Sequence, residues 1–186
     1  MNMSVGMVTV MFLVRGLGEA GEGEHLVELF TNAEWPGWAQ TLALGGTATW
    51  ESWIANTDGN SQSHAWGAAG LEGYVRYILG VKPSKPGYEE VQIKPLAFGT
   101  KLPSAKGTIP TDRGDISVSW SRNADRYTMN VSLPVNVTSF VHVPKGAVAT
   151  NTVRVDGANV AAIEDAGHLR VPIGSGTHLI ERALSP

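Results

Sequence analysis

Apolar positions recur at helical spacing up to about residue 80 and alternate with polar ones beyond it. Over residues 4–18, Val5, Val8, Met11, Phe12 and Val14 fall near a 3.6-residue period, and Gly16 and Gly18 mark its end, which predicts a helix. Residues 22–32 predict a second helix, with His25, Leu26, Leu29 and Phe30 inward and Glu22, Glu24 and Glu28 toward solvent. A short third helix is expected over residues 34–44, entered through Trp35-Pro36. Ser63 stands where an N-cap belongs, before a helix running to Leu79 that Gly80 stops.

After Gly80 the period becomes two. Val91 and Ile93 alternate with polar partners, as do Ile116, Val118 and Trp120, and Tyr127, Met129, Val131 and Leu133. Phe140, Val141 and Val143 follow, then Val153 and Val155, residues 160–163, residues 169–173, and Leu179 with Ile180. Turn signals separate these runs, among them Lys85-Pro86-Gly87, Arg113-Gly114-Asp115, Pro144-Lys145-Gly146, Asp156-Gly157 and Gly174-Ser175-Gly176. Short strands at this spacing predict an antiparallel β-sandwich. The fold class is therefore α+β in separate regions, residues 1–80 helical and residues 81–186 a sandwich. The β region is long enough to own a core. The helical region has four helices at most, and their apolar faces call for partners outside it.

Composition changes this picture little. The chain has 186 residues, 42% hydrophobic and 17% charged, an ordinary globular balance. A formal charge of −3 gives no basic stripe for nucleic acid. With no cysteine there is neither a disulfide framework nor a thiolate metal site, and no cofactor is indicated. The apolar run over residues 3–14 lacks the basic flank and cleavage site of a signal peptide. It is also shorter than the ~20 residues that span a bilayer, so no membrane segment is expected and the compartment stays open.

The chemistry concentrates between residues 45 and 68. Gly45-Gly46-Thr47-Ala48-Thr49-Trp50-Glu51-Ser52-Trp53 is followed, after a loop, by Ser61-Gln62-Ser63-His64-Ala65-Trp66-Gly67-Ala68. Three tryptophans with a carboxylate and an imidazole suit a sugar, which has apolar C–H faces and hydroxyl edges. The residues alone leave a second reading open: Trp50 and Trp53 as core, Glu51 as a surface charge, His64 as a helix-start residue. His142, His168 and His178 lie in strand-like runs without metal-ligand spacing and are expected at the surface or in cross-strand pairs. Asp112, Asp115, Asp125 and Asp156 sit in turns, and Gly16-Leu17-Gly18 lacks the context of a phosphate loop.

The order of these motifs resembles the α-L-rhamnosidases, inverting glycoside hydrolases built on a six-hairpin (α/α)6 barrel. In that family a Gly-Ala-Thr-Thr-x-Trp-Glu-x-Trp stretch near the barrel's end precedes a Ser/Asn-x-His segment that opens the last barrel helix. Leu-Gly-Val/Ile, Pro-Gly-Tyr and x-Ile-x-Pro follow, then a Thr-x-x-Gly-x-Ile-x-Val-x-Trp strand pair. Here residues 46–53 and 63–67 carry the first two. Leu79-Gly80-Val81, Pro86-Gly87-Tyr88, Gln92-Ile93-Lys94-Pro95 and residues 111–120 carry the rest, in the same order. The likeness runs from about residue 4 to about residue 145. Ala48 and Ser52 stand where many members have Thr and Arg, and Ser63 where many have Asn, which marks a divergent branch.

The resemblance implies that residues 1–80 are the terminal helices of such a barrel and residues 81–186 its C-terminal sandwich. It implies a rhamnose-containing glycoside as substrate and Glu51 as the general base that activates water, with inversion. His64 would bond a sugar hydroxyl, and Trp50, Trp53 and Trp66 would wall the sugar. The general acid of the family lies on an earlier barrel segment, whose motif Glu19, Glu22, Glu24, Glu28 and Glu34 do not match. The missing N-terminal part of the barrel is then the expected partner, and the chain alone is expected to have little hydrolase activity. Two other functions remain: a non-catalytic carbohydrate-binding or structural sandwich, and a six-hairpin glycosidase for another sugar. Tyr88, Trp120, Tyr127 and Phe140 fall mostly on core positions, which leaves the sandwich without an aromatic sugar platform.

Overall fold

A computed structural model describes residues 5–54, 59–96 and 101–185. Residue 4 of the expected first helix and residues 55–58 of the loop after Trp53 lie outside them. The chain forms two compact units, Met1–Tyr74 and Val75–Pro186. Helices build the first and strands the second.

In the first unit, α1 (Val10–Glu19) begins six residues later than the periodicity predicts. Its buried stripe is Met7, Val10, Val14 and Gly18, whereas Val8 and Phe12, expected inward, are 55% and 66% exposed. Val14 of the periodic set is buried, but Val8 and Phe12 lie about 100° from the stripe that this unit buries. α2 (Gly23–Thr31) buries Leu26, Val27 and Leu29. His25, also expected inward, is at the surface, its Nδ1 2.8 Å from Glu22 Oε2. α3 (Trp38–Ala43) follows Gly37. α4 (Ala69–Gly73) is entered through a 3₁₀ turn over Ala65–Ala68, and a π-helical turn over Tyr74–Ile78 comes next. The expected long helix from Ser63 is thus three short pieces, and Ser63 does not cap it: His64 holds the N-cap position without a side-chain bond. Small residues set the helix approaches. A Cβ on Gly73 would meet Val14 Cγ1 at 2.6 Å and Phe30 Cζ at 2.7 Å, and one on Gly70 would meet the Trp38 ring at 3.0 Å. Arg15 clamps Glu72 through two bonds of 3.0 and 3.1 Å, which ties α1 to α4.

The second unit is a two-sheet sandwich. One sheet has the order β1 (Val81–Pro83), β2 (Glu90–Ile93), β6 (Thr138–Pro144), β10 (His168–Ile173), β9 (Ile163–Asp165). The other has the order β3 (Ser104–Ile109), β4 (Ile116–Arg122), β5 (Arg126–Leu133), β11 (Gly176–Ala183), β7 (Thr152–Val155), β8 (Ala158–Ala161). The pairings are antiparallel except that β2 and β6 run parallel, with Val91 opposite Ser139 and Ile93 opposite Val141. Alternation places the core: Val91, Ile93, Val141, Val143, Leu169 and Val171 from one sheet, and Ile116, Val118, Trp120, Met129, Val131 and Ile180 from the other. Each such side chain stabilises the sandwich by about 1.5–3 kcal/mol.

Trp120 and Tyr127 stack in this core at 6.2 Å, and the Trp120 Nε1–H donates to Ile78 O at 2.8 Å. Gly80 is required where the chain enters β1. Its φ is +81°, and a Cβ there would lie 2.2 Å from the Lys94 carbonyl carbon. β1 and β3, absent from the expected strands, line the two sheet edges. Polar positions hide them: β3 reads Ser-Ala-Lys-Gly-Thr-Ile, and its Gly107 makes room for Leu79, whose Cδ1 would sit 2.6 Å from a Cβ. Among the described residues no helix is long and apolar enough to cross a membrane.

Candidate active site

Two backbone segments of the first unit meet like strands. Glu51 N donates to Ser61 O at 2.9 Å, and His64 N donates to Thr49 O at 2.7 Å. The Thr49 hydroxyl adds a 2.6 Å bond to His64 O. Gly67 permits this approach, because a Cβ there would strike Thr49 Cβ at 2.7 Å and Trp50 O at 3.0 Å. The clamp brings together side chains that are well separated in sequence.

Glu51 and His64 emerge side by side from the clamp, each about 30% exposed, with His64 Nδ1 3.9 Å from Glu51 Oε2. The Ser61 backbone N–H donates to that same oxygen at 2.8 Å, which fixes the carboxylate and leaves Oε1 for a solvent molecule or ligand. The His64 ring lies 4.2 Å from that of Trp66, tilted by 59°, and Trp66 is 44% exposed. Glu51, His64 and Trp66 therefore form one accessible cluster of carboxylate, imidazole and indole.

Trp50 and Trp53 do not join it. They are 5% and 6% exposed. Trp53 stands edge-on to Trp38 at 5.2 Å and donates its Nε1–H to Val5 O at 2.9 Å, and Trp38 in turn stands edge-on to Phe30 at 5.3 Å. Of the three expected walling tryptophans, Trp66 has its ring exposed beside His64, while Trp50 and Trp53 are buried within this unit. A cavity of about 500 Å³ lies close by, lined by Met7, Phe30, Trp38, Leu42, Trp50 and Leu71 among others. Its wall is apolar and includes neither Glu51 nor His64, so it is not where these groups act.

Ser61, Thr49 and Gly67 are the residues that sequence reasoning passed over. Ser61 acts through its backbone, which no side-chain motif reveals. Gly67 was legible as a glycine beside a functional pair, a sign of close backbone approach. In the second unit, His142 was expected at the surface or in a cross-strand pair; it stands opposite Arg170 and is 1% exposed. It points from the outer face of its sheet, where Asp165 Oδ2 lies 3.4 Å from its Nδ1 and Lys94 Nζ lies 3.7 Å from that same oxygen. His168 is 6.4 Å away, ring to ring, and Arg170 pairs across the strands. Burial, then the Lys94 cation, pushes His142 down to about 4. Among the described residues no three His, Cys, Asp or Glu side chains converge to hold a metal.

Residues 1–76 match the bacterial alpha-L-rhamnosidase six-hairpin glycosidase domain, and residues 80–157 match the bacterial alpha-L-rhamnosidase C-terminal domain. The chain is 34% identical over 147 residues to an alpha-L-rhamnosidase of Alteromonas sp. (strain LOR), which covers 74% of this chain and 16% of the relative. It is 27% identical over 186 residues to an alpha-L-rhamnosidase of Streptomyces avermitilis, covering 95% and 18%. The solved alpha-L-rhamnosidase from Dictyoglumus thermophilum superposes with a TM-score of 0.87 at 23% identity, over 99% of this chain and 21% of that one. The S. avermitilis enzyme complexed with L-rhamnose gives 0.82 at 24% identity, over 97% and 18%. At these identities the superpositions establish the shared fold. The chain spans roughly a fifth or less of the relatives it matches.

Proposed function

Since the chain belongs to the bacterial α-L-rhamnosidase family, we propose that Glu51 is the general base in an inverting hydrolysis of terminal α-L-rhamnosides. The observation that carries this reading is the cluster itself: a fixed carboxylate with one free oxygen, an imidazole beside it, and an exposed indole within one ring contact. Glu51 Oε1 takes a proton from water as that water attacks the anomeric carbon. The Ser61 N–H holds Oε2 so that the free oxygen keeps its aim. His64 bonds a sugar hydroxyl, and Trp66 covers an apolar face of the ring, as suits a sugar with a methyl group. Inversion leaves room for the water by setting the acid and base carboxyls ~6.5–9.5 Å apart.

Residues 1–80 serve in this account as the last helices of an (α/α)6 barrel, and residues 81–186 as the sandwich that follows it in the chain. The acid comes from elsewhere in the barrel. Two of the unit's carboxylates are already engaged, Glu22 with His25 and Glu72 with Arg15. Eight of the eleven exposed large apolar side chains among the described residues, Val8, Phe12, Leu42 and Leu71 among them, belong to residues 5–74. A surface so apolar supports a unit that is covered by further barrel helices when it works. Without an acid to protonate the leaving group, the chain alone has little activity.

The test places this chain in the Alteromonas sp. (strain LOR) enzyme, in place of the matching segment, and measures rhamnose release from an aryl α-L-rhamnoside. The chimera should turn over and Glu51→Gln should not, with unchanged circular dichroism. Equal turnover would remove Glu51 from the base role.

A further inference from the structure

A polar depression of about 240 Å³ lies on the sandwich, within one unit and independent of the chemistry at Glu51. Register builds it. Arg154 of β7 stands opposite Glu181 of β11 and Asn159 of β8, while Arg126 of β5 stands opposite Ala183. The small Ala183 leaves the space, and Thr150 and Thr152 close one side.

The charges in and under this depression do not balance. Glu181 is the one carboxylate in its lining, and two guanidinium groups lie near it: Arg126 Nη1 at 3.2 Å, and Arg154, whose Nε–H donates to Gly157 O at 3.0 Å and stands 4.0 Å from Glu181. A third guanidinium, Arg182, is 4% exposed. Its donors reach only backbone carbonyls: Lys145 O at 3.1 and 2.8 Å, Thr152 O at 2.8 Å and Val148 O at 3.0 Å. Those four bonds occupy four of its five hydrogens, and among the described residues no carboxylate pairs with its charge beneath the depression, in a setting where burial strengthens the field. Three guanidinium groups against one carboxylate give a concave site with an excess of two positive charges. Arg126 and Arg154 reach over it from exposed positions, and both keep N–H groups that Glu181 does not use.

We infer that this depression binds an oxyanion, a carboxylate or a sulfate or phosphate group on a small ligand, with Arg126 and Arg154 as its forks. Thr150, whose hydroxyl accepts from Thr152 at 3.2 Å, and Asn159 supply neutral donors at its edge, and the buried Arg182 supplies a fixed field. The anion competes with Glu181 for Arg126 and Arg154. That competition separates this site from a plain surface ion pair, which contributes little and gains nothing from losing its acid.

The purified chain is titrated at low ionic strength with sodium sulfate, sodium phosphate and sodium glucuronate, against sodium chloride at matched ionic strength. The arginine Nε–Hε resonances are followed by NMR. A saturable shift of Arg126 and Arg154 is expected, fading as salt screens the exposed arms. Arg154→Gln and Arg126→Gln should each weaken binding about tenfold, the share of one charge-assisted contact, and Glu181→Gln should strengthen it by a similar factor. The two arginine side chains are 64% and 56% exposed and that of Glu181 20%, so the unfolding temperature of each variant is checked beside its binding. Preference for sulfate or phosphate assigns a tetrahedral ligand group, and preference for glucuronate a planar one. No saturable shift above the chloride control, or an affinity unmoved by Glu181→Gln, would overturn the site.

Discussion

His142 makes the sandwich sensitive to acid in a window that can be worked out. The perturbation is a drop in pH from 7 to 4. In the folded chain the imidazole stays neutral down to about 4, against its ordinary 6.5, first because it is buried, then because Lys94 sits close by, with His168 and Arg170 adding to the effect and Asp165 opposing it. Unfolded, it takes a proton near 6.5. Between these values the unfolded chain binds a proton that the folded chain does not, so stability is full above 6.5 and falls as pH descends toward 4. The gap of about 2.5 pH units corresponds to about 3 kcal/mol. The His142 side chain is only 2% exposed, so solvent screening does not reduce this figure much. His168 is shifted down as well and adds to the same loss. The assay is hydrogen exchange of the β5, β6 and β10 amides across this pH range, for the parent and for His142→Leu. The parent should lose about 3 kcal/mol more than the variant between pH 6.5 and 4. Identical slopes would show that His142 does not titrate across this window.

Two substitutions test the close approaches. In the chimera, Gly67→Ala must push Thr49 or the Trp50 carbonyl aside, because a Cβ there meets them at 2.7 and 3.0 Å. Turnover should fall about tenfold or more while the sandwich's unfolding is unchanged, and a kcat equal to the parent's would show that the clamp does not position Glu51. Gly80→Ala combines a positive φ with a backbone clash at 2.2 Å. It should destabilise the sandwich by more than ~2 kcal/mol in urea unfolding, and a loss below ~1 kcal/mol would mean that the Gly80–Lys94 approach is soft.

Much of the sandwich was legible because alternation is local: Ile116, Val118 and Trp120, and Tyr127 through Leu133, bury every second side chain. Which strand pairs with which is not local, so the parallel pairing of β2 with β6 could not be read. Which of the two expected settings His142 takes, surface or cross-strand pair, is not local either. Its position on β6 faces outward, and the groups that cover it come from Lys94 after β2 and from β9 and β10. In the helices, periodicity found α1 and α2 but not the face of α1, since the stripes through Val8 and Met7 differ by one residue. At the site, the motif around Glu51 and His64 named the right neighbours. Three tryptophans in one segment looked equivalent in sequence, and packing separates them: Trp50 and Trp53 are buried, and Trp66 faces solvent beside His64.

The most direct test of the account is the kcat of the chimera for an aryl α-L-rhamnoside, measured for the parent chimera and for its Glu51→Gln variant, beside the same assay on this chain alone. The account predicts turnover in the parent chimera, a loss of about 10² to 10⁴-fold in Glu51→Gln with little change in KM, and none in the isolated chain. Turnover by the isolated chain, or an unchanged kcat in Glu51→Gln, would contradict it.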